Sequence, residues 1–236
     1  MRSKQAGLLA LVVGLATTAW AGTAAKAPAV AIKPVKIIQK MTGPQTATTT
    51  MYVAGKDKVR VEVQSPMLSK QMPMMTGDKM VIIVNGSESI MLNDKEKQAI
   101  KLPPGQNLAA MMMQQMGTLT PDQLDPKVIK QKLEAEGMKK TGTAKVGKEQ
   151  CDLYSGSKVG KDGKPQGDSK VFLRQRDQLP VKVEIKSPRG NVDATMEWEP
   201  KFDAALFKVP AGYKTVDAAA IFGKGKGAPP QPGKPQ

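Results

Sequence analysis

Apolar and polar residues alternate in several short segments of this chain. In residues 59–63, valines alternate with Arg60 and Glu62, which predicts a strand with one apolar and one charged face. Residues 80–84 and 89–92 are apolar and flank Asn85-Gly86, a pair that tolerates positive φ and therefore predicts a hairpin turn. Another strand is expected over residues 98–102. Together these segments predict an antiparallel meander.

The middle of the chain changes to a helical pattern. Residues 107–116 are rich in methionine and alanine, which predicts a short helix. A second helix has clearer boundaries, because Asp125 is a good N-cap, Pro126 suits the first helical position and Gly137 suits the left-handed position after the end. We therefore expect two helices between two groups of strands.

Strand patterns resume after Gly137, separated by turn residues. Strands are expected over residues 143–154, 170–174, 181–185 and 193–198. The glycine- and lysine-rich residues 156–167 predict an exposed hairpin loop, and residues 223–236 predict a disordered basic tail. With a small-residue linker over residues 22–34, this predicts one domain over residues 35–222.

The N-terminus has the pattern of a secretory signal peptide. Arg2 and Lys4 precede an apolar stretch over residues 7–16, and Ala19 and Ala21 stand at the −3 and −1 positions of a cleavage site. The apolar stretch is too short to span a bilayer. We therefore expect cleavage after Ala21 and a periplasmic mature protein.

The expected periplasmic location determines which partners the positive charge favours. The formal net charge is +15, and removal of Arg2 and Lys4 with the signal leaves +13. Nucleic acid is not expected as a partner, since exported proteins rarely meet it and aromatic residues make up only 4% of the chain. The charge favours anionic membrane surfaces as a partner, with a merely solubilising excess of lysine as the alternative.

The cysteine and histidine counts argue against catalysis. One cysteine, Cys151, excludes a disulfide within the chain, and the absence of histidine removes the Ser-His-Asp and Cys-His mechanisms. Cys151 lies in a strand-like segment, so we expect a buried structural thiol. The chain is predicted to be non-enzymatic and without a cofactor, and its oligomeric state is left open.

The order of these elements resembles the LolA-like group of periplasmic proteins, which includes the outer-membrane lipoprotein carriers. The resemblance covers about residues 33–216 and rests on the valine strand at 59–63, the hairpin at 81–92, the two helices, and the segments VGKEQCDLY (146–154), QLPVK (178–182) and FKVPAGY (207–213). In the last of these, we expect Pro210 and Gly212 to end a strand. No motif in this set is catalytic.

The resemblance implies a mainly β, α+β fold. It would be a strongly curved, unclosed antiparallel half-barrel with two or three helices in its concave mouth. In the carriers, the cavity between sheet and helices takes the acyl chains of lipoproteins. The true carriers also have an Arg-Pro step early in the sheet that helps to latch the lid, whereas Arg60 is followed here by Val61.

Methionine is the distinctive residue of this chain, with 15 copies against four phenylalanines. Its flexible side chain repacks around irregular apolar ligands. Eight methionines fall in two clusters: Met67, Met72, Met74, Met75, Met111, Met112, Met113 and Met116. In the LolA-like layout both clusters would lie near the cavity mouth, which predicts that they bind a lipid or a lipid-modified protein.

Two other functions use the same residues. The protein could be a structural or sensory envelope domain that recognises a protein partner without lipid. In that case the methionines would fill the hydrophobic core. Thioethers also select Cu(I), and Met72, Met74 and Met75 are close in sequence, although no histidine or second cysteine supports a copper site.

Overall fold

The structure is a computed structural model, and it describes residues 33–44, 46–55, 57–71, 77–103, 124–159, 165–188 and 190–218. The predicted signal peptide, the helix expected over 107–116 and the basic tail lie outside the described residues. Most of the 22–34 linker also lies outside them.

Twelve strands make up most of the described chain. They are β1 (Val35–Thr42), β2 (Ala47–Gly55), β3 (Lys58–Gln64), β4 (Lys79–Asn85), β5 (Glu88–Asn93), β6 (Gln98–Lys101), β7 (Lys139–Val146), β8 (Glu149–Val159), β9 (Pro165–Arg174), β10 (Pro180–Lys186), β11 (Val192–Glu199) and β12 (Lys214–Asp217). A single helical turn, α1 (Leu68–Gln71), a longer helix, α2 (Pro126–Ala135), and a 3-10 helix (Ala204–Phe207) complete the described elements.

All twelve strands belong to one sheet, in the order β12-β6-β5-β4-β3-β2-β1-β11-β10-β9-β8-β7. Neighbouring strands are antiparallel except for β12 and β6, which are parallel. Among the described strands, β7 and β12 form the two free edges, so the sheet is not closed into a barrel. The expected mainly β, unclosed antiparallel architecture is confirmed.

The sheet has two ends, to which each strand contributes a terminus. The Trp198 end carries Val35, Asn85, Lys101 and Trp198, and the Lys79 end carries Thr42, Gln64, Lys79 and Lys139. Strands from both halves of the sheet share one core cluster with α2, so the sheet curves around this helix. We call the face that contacts α2 the helix-side face.

The first meander follows the sequence prediction closely. Val59, Val61 and Val63 are buried on the helix-side face, as alternation requires. The hairpin between β4 and β5 also forms, but Asn85 pairs with Glu88, so the two central turn residues are Gly86 and Ser87. The turn is therefore one residue later than expected, because Gly86, with φ 64°, occupies its first central position.

The chain between β6 and β7 passes from one end of the sheet to the other. Strand β6 stops at the Trp198 end, whereas β7 begins at the Lys79 end. Helix α2 lies on this path, and Leu124, Ile129 and Leu133 bury its apolar side in the core. Within the described residues, α2 is the one helix of more than a single turn.

The ends of α2 match the sequence prediction. Asp125 is the N-cap, and its carboxylate accepts a hydrogen bond from the Lys127 amide at 2.8 Å. At the other end, the Gly137 and Met138 amides donate to the carbonyls of Glu134 and Leu133, both at 2.9 Å. This is a Schellman motif, and Gly137 supplies the left-handed residue with φ 74°.

The second group of strands corrects two expectations. Residues 143–154 are not one strand, because Gly147 (φ 58°) and Lys148 turn the chain between β7 and β8. Residues 156–167 are not all loop either, since β8 continues to Val159 and β9 begins at Pro165. Cross-strand pairing such as Ser157 with Asp168 extends this hairpin, and backbone hydrogen bonds outweigh the local turn preference.

A strap formed by residues 202–213 crosses the opposite face of the sheet. The Arg60 guanidinium donates to the Leu206 carbonyl at 2.9 Å and to the Glu62 carboxylate at 2.7 Å. Phe202 and Phe207 pack edge to face, with ring centroids 5.7 Å apart. Arg60 therefore fixes the strap to the face of the sheet opposite α2.

The strap ends where Tyr213 donates a hydrogen bond to Asp94. Burial and this bond raise the pKa of Tyr213 to about 12. Val209 and Tyr213 cover the second core cluster, which contains Val81, Ile83, Ile90, Leu92 and Ala99. The expectation of a strand ending at Pro210 and Gly212 is wrong, because the chain between the 3-10 helix and β12 is irregular. Side-chain contacts, and not strand pairing, attach this segment to the sheet.

None of the helices in the described ranges is both long enough and apolar enough to cross a membrane.

Candidate functional site: the helix-side face of the sheet

An unbroken row of apolar side chains crosses eight strands of the helix-side face. Successive cross-strand pairs join Trp198, Ile37, Met51, Val61, Ile82, Met91, Ile100 and Val216. The six inner members are at most 4% exposed, whereas Trp198 and Val216 at the ends are half-buried. We call this set the apolar row. It forms a continuous hydrocarbon surface across eight of the twelve strands.

The helix-side face also buries methionines that lie outside the two sequence clusters. The buried core around the apolar row contains five of them: Met51, Met80, Met91, Met138 and Met196. None belongs to the two clusters singled out in the sequence, because each stands alone in its strand or turn. Strand alternation was the signal that could have identified Met51, Met80, Met91 and Met196 as facing α2.

The helix-side face opens at the Trp198 end. Val35, Val84, Leu179 and Trp198 pack against the core yet remain half-exposed, and we call these four residues the apolar rim. The Trp198 indole donates to the Pro180 carbonyl at 2.7 Å, which fixes the ring at the edge of the core. Sequence reasoning missed this rim, since its members come from four separate elements.

The Lys79 end of the same face mixes apolar and polar side chains, since Met80, Met138 and Ile185 are buried there as well. The buried side chains there include Gln39, Thr49, Ser65 and Asn93. Ser65 donates to the Thr46 carbonyl at 2.9 Å and its own amide donates to the Asp78 carbonyl at 2.8 Å, so it ties β2 to the start of β4. The Lys79 end of the face therefore has buried hydroxyl and amide groups beside its apolar side chains.

One of the eight predicted site residues can be placed. Met67 lies just after β3, at the Lys79 end, and it is half-buried. Met72, Met74, Met75, Met111, Met112, Met113 and Met116 lie outside the described residues. The chain leaves the described part after Gln71 near the Lys79 end and after Pro103 near the Trp198 end. The two predicted clusters thus follow opposite ends of the sheet.

A buried carboxylate, Asp152, lies beside the apolar surface in β8. Its oxygens accept hydrogen bonds from Lys140 at 2.9 Å, Gln175 at 3.0 Å and Gln178 at 3.4 Å. The bond from Lys140 comes first among the causes that hold the pKa of Asp152 below its ordinary value. Because donors occupy both oxygens, this group stabilises the turn between β9 and β10 rather than acting as a base.

Cys151 points to the other face and is fully buried. Its thiol donates to the Glu149 carbonyl at 3.6 Å, and burial raises its pKa above the usual value. A protonated, inaccessible thiol is a poor nucleophile. The expectation that Cys151 is buried is therefore confirmed.

The charged side chains offer no metal centre in the described ranges, where no three of the His, Cys, Asp and Glu side chains come together in a way that could hold an ion. The predicted thioether clusters, apart from Met67, lie beyond those ranges.

The chain matches no model of a protein family, and the curated proteins compared with it include no relative. Solved structures do match it. The Mycobacterium tuberculosis lipoprotein LppX is 12% identical, with a TM-score of 0.43 over 73% of this chain and 89% of that one. A LolA superfamily protein from Nitrosomonas europaea is 9% identical, with a TM-score of 0.30 over 74% and 89%.

A third match is MucB in its complex with MucA from Pseudomonas aeruginosa. It is 10% identical, with a TM-score of 0.40 over 78% of this chain and 59% of that one. The matched structures thus include one from the superfamily that the sequence resembles. At these identities the likeness concerns the fold alone and does not indicate what this chain binds.

Proposed function

We propose that this protein is a non-enzymatic periplasmic carrier that holds the acyl chains of a lipid or lipid-modified protein against the helix-side face of its sheet. The observation that carries the proposal is the apolar row together with its half-exposed rim. Where the apolar core continues into half-exposed apolar side chains, a hydrocarbon chain can pack against it and extend it.

The composition of the face supports acyl chains rather than a rigid ligand. Methionines pack beside β-branched residues along the row, and a thioether chain adapts its shape at low cost. A flexible acyl chain needs such adaptable walls, and it needs few polar contacts. The methionines of the two sequence clusters other than Met67 lie outside the described residues, and their part in this lining stays a prediction.

An acyl probe in solution tests this proposal. In the processed protein Trp198 is the single tryptophan, because the other, Trp20, belongs to the predicted signal peptide. Energy transfer from Trp198 to dansyl-undecanoic acid should therefore report a probe bound at the Trp198 end. Saturable transfer that oleate displaces is the expected result, and transfer that stays linear with probe concentration would contradict the proposal.

Two adjacent residues of β12 give a matched pair of variants. Val216→Asn places a polar group at the end of the apolar row and should weaken probe binding about fourfold, since at this half-buried position it removes the burial of roughly one methyl group. Thr215→Asn is the control, because Thr215 is exposed and alternates to the other face. Equal affinity of the two variants would show that the row does not contact the acyl chain.

The predicted methionine site has its own test. Replacing Met111, Met112, Met113 and Met116 with glutamine should weaken acyl binding and leave the circular dichroism of the sheet unchanged. Loss of the sheet signal in this variant would instead assign these methionines to the core.

A further inference from the structure

The Trp198 end carries exposed lysines beside its apolar rim. Some cations at this end have partners: Lys36 binds Glu199 at 2.9 Å, and Lys101 binds Glu88 at 3.0 Å. Lys33 and Lys201 are exposed, and neither forms an ion pair with any residue that the structure describes. Their charges are therefore available to a partner.

The strand register places both lysines next to the rim. Lys36 lies opposite Glu199 in the antiparallel pair of β1 and β11, so Lys33 and Lys201 stand just beyond the last pair at the same corner. Val35 lies between Lys33 and the sheet core, and Trp198 precedes Lys201 by three residues. Cationic and apolar groups thus meet at one edge of the molecule.

Trp198 has the properties of a residue at a bilayer interface. Its ring is half-exposed, packs against two core clusters and uses its indole hydrogen in a bond to the Pro180 carbonyl. Tryptophan favours the boundary between head groups and hydrocarbon, and lysines next to it can reach anionic head groups. We propose that the Trp198 end is a docking surface for an anionic lipid bilayer, with Trp198 inserted at the interface and Lys33 and Lys201 bound to head groups.

Charge alone does not select this end of the molecule. The Lys79 end also carries exposed lysines, among them Lys139 and Lys214, and half-exposed apolar residues such as Met67 and Val192. The Trp198 end differs because its lysines lie beside a half-exposed tryptophan. Docking at this end would also face the open side of the proposed acyl site towards the membrane, although it does not depend on acyl binding.

Fluorescence of Trp198 tests the proposal with the processed full chain. On addition of phosphatidylcholine vesicles containing phosphatidylglycerol, we expect the emission to shift to the blue, lipids brominated near the head group to quench it, and the protein to float with the vesicles. High salt should reverse these effects, and vesicles of phosphatidylcholine alone should not produce them.

Paired variants separate docking from unspecific attraction. Lys33→Gln with Lys201→Gln should weaken vesicle binding by roughly 25-fold, because each lysine near an anionic surface contributes about a fivefold factor. The control is Lys139→Gln with Lys214→Gln, which removes the same charge at the other end and should change binding little. A similar loss in both variants would overturn the proposal.

Two other results would also overturn it. One is unshifted Trp198 emission with protein that floats on anionic vesicles, since another surface would then dock. The other is binding to native envelope membranes but not to protein-free vesicles, which would assign the rim to a protein partner. Failure of the acyl probe experiment would leave vesicle docking intact, so the two proposals fail separately.

Discussion

Asp152 makes the stability of this fold depend on pH. Three donors from β7 and the turn after β9 bind its ionised form and lower its pKa. A lowered pKa means that the stabilisation is present above the ordinary value of an aspartate and is lost as the pH falls through the lowered one. The pKa of Glu62 is also lowered. Burial opposes the ionisation of this carboxyl, but hydrogen bonds from Arg60 and Lys79 to the carboxylate outweigh the effect of burial.

Asp152→Asn should therefore lower the free energy of unfolding by about 1–3 kcal/mol at pH 7, the usual contribution of hydrogen bonds to a charged group. The difference from the natural protein should shrink as the pH falls through the lowered pKa of Asp152, below which both chains lack the charge. Urea unfolding at pH 7 and at successively lower pH values measures this. Asp193→Asn is the control, since Asp193 is exposed and makes no ion pair among the described residues; a loss at pH 7 equal to that of Asp152→Asn would contradict the account.

Cys151 should resist modification in the folded protein. Its thiol is fully buried and burial raises its pKa, so reaction with Ellman's reagent at pH 8 should be at least about a hundredfold slower than in urea. Absorbance of the released thiolate follows the reaction. Fast reaction without urea would mean that β8 opens readily, and the Cys151 thiol would then be a reactive group in the folded protein.

Single residues were predictable where one local rule decides the outcome. The caps of α2, the faces of Val59, Val61 and Val63, and the burial of Cys151 follow from capping chemistry or strand alternation. The apolar rim did not follow from any such rule. Its members are distant in sequence, and only the order of strands in the sheet brings them together.

At the scale of elements, helix α2 depends on its left-handed C-terminal residue. Gly137→Ala should destabilise the protein by roughly 1–2 kcal/mol, because an L side chain at φ 74° is strained. Gly142→Ala is a matched control, since Gly142 lies in edge strand β7 with open space around its Cα and without positive φ. Thermal unfolding compares the two, and equal midpoints would show that α2 does not end in the Schellman motif.

The elements that differed from expectation show where local sequence is insufficient. Residues 156–167 have turn composition, yet part of this segment pairs in the long hairpin of β8 and β9 because both strands extend a ladder already formed. The segment over 207–213 has strand-like valine and phenylalanine, yet it belongs to the strap, which Arg60 holds at the Leu206 carbonyl and Asp94 holds at Tyr213. Tertiary contacts decided both cases.

At the scale of the whole molecule, the open sheet must protect two edges. Strand β7 is exposed at nearly every position, carries lysines and contains a bulge near Gly142, and β12 is only four residues long. Both features discourage pairing with another sheet. An open sheet with guarded edges can keep one face available to a ligand, which is what the proposed carrier function requires.

The central claim is that this face holds acyl chains, and native mass spectrometry of the protein purified from periplasm without detergent tests it most directly. We predict an additional mass of several hundred daltons that organic solvent releases as a lipid. A mass increase equal to copper would assign the methionines to a metal site. Bare protein that also fails to take up added lipid would contradict the claim and favour an envelope domain that recognises a protein partner.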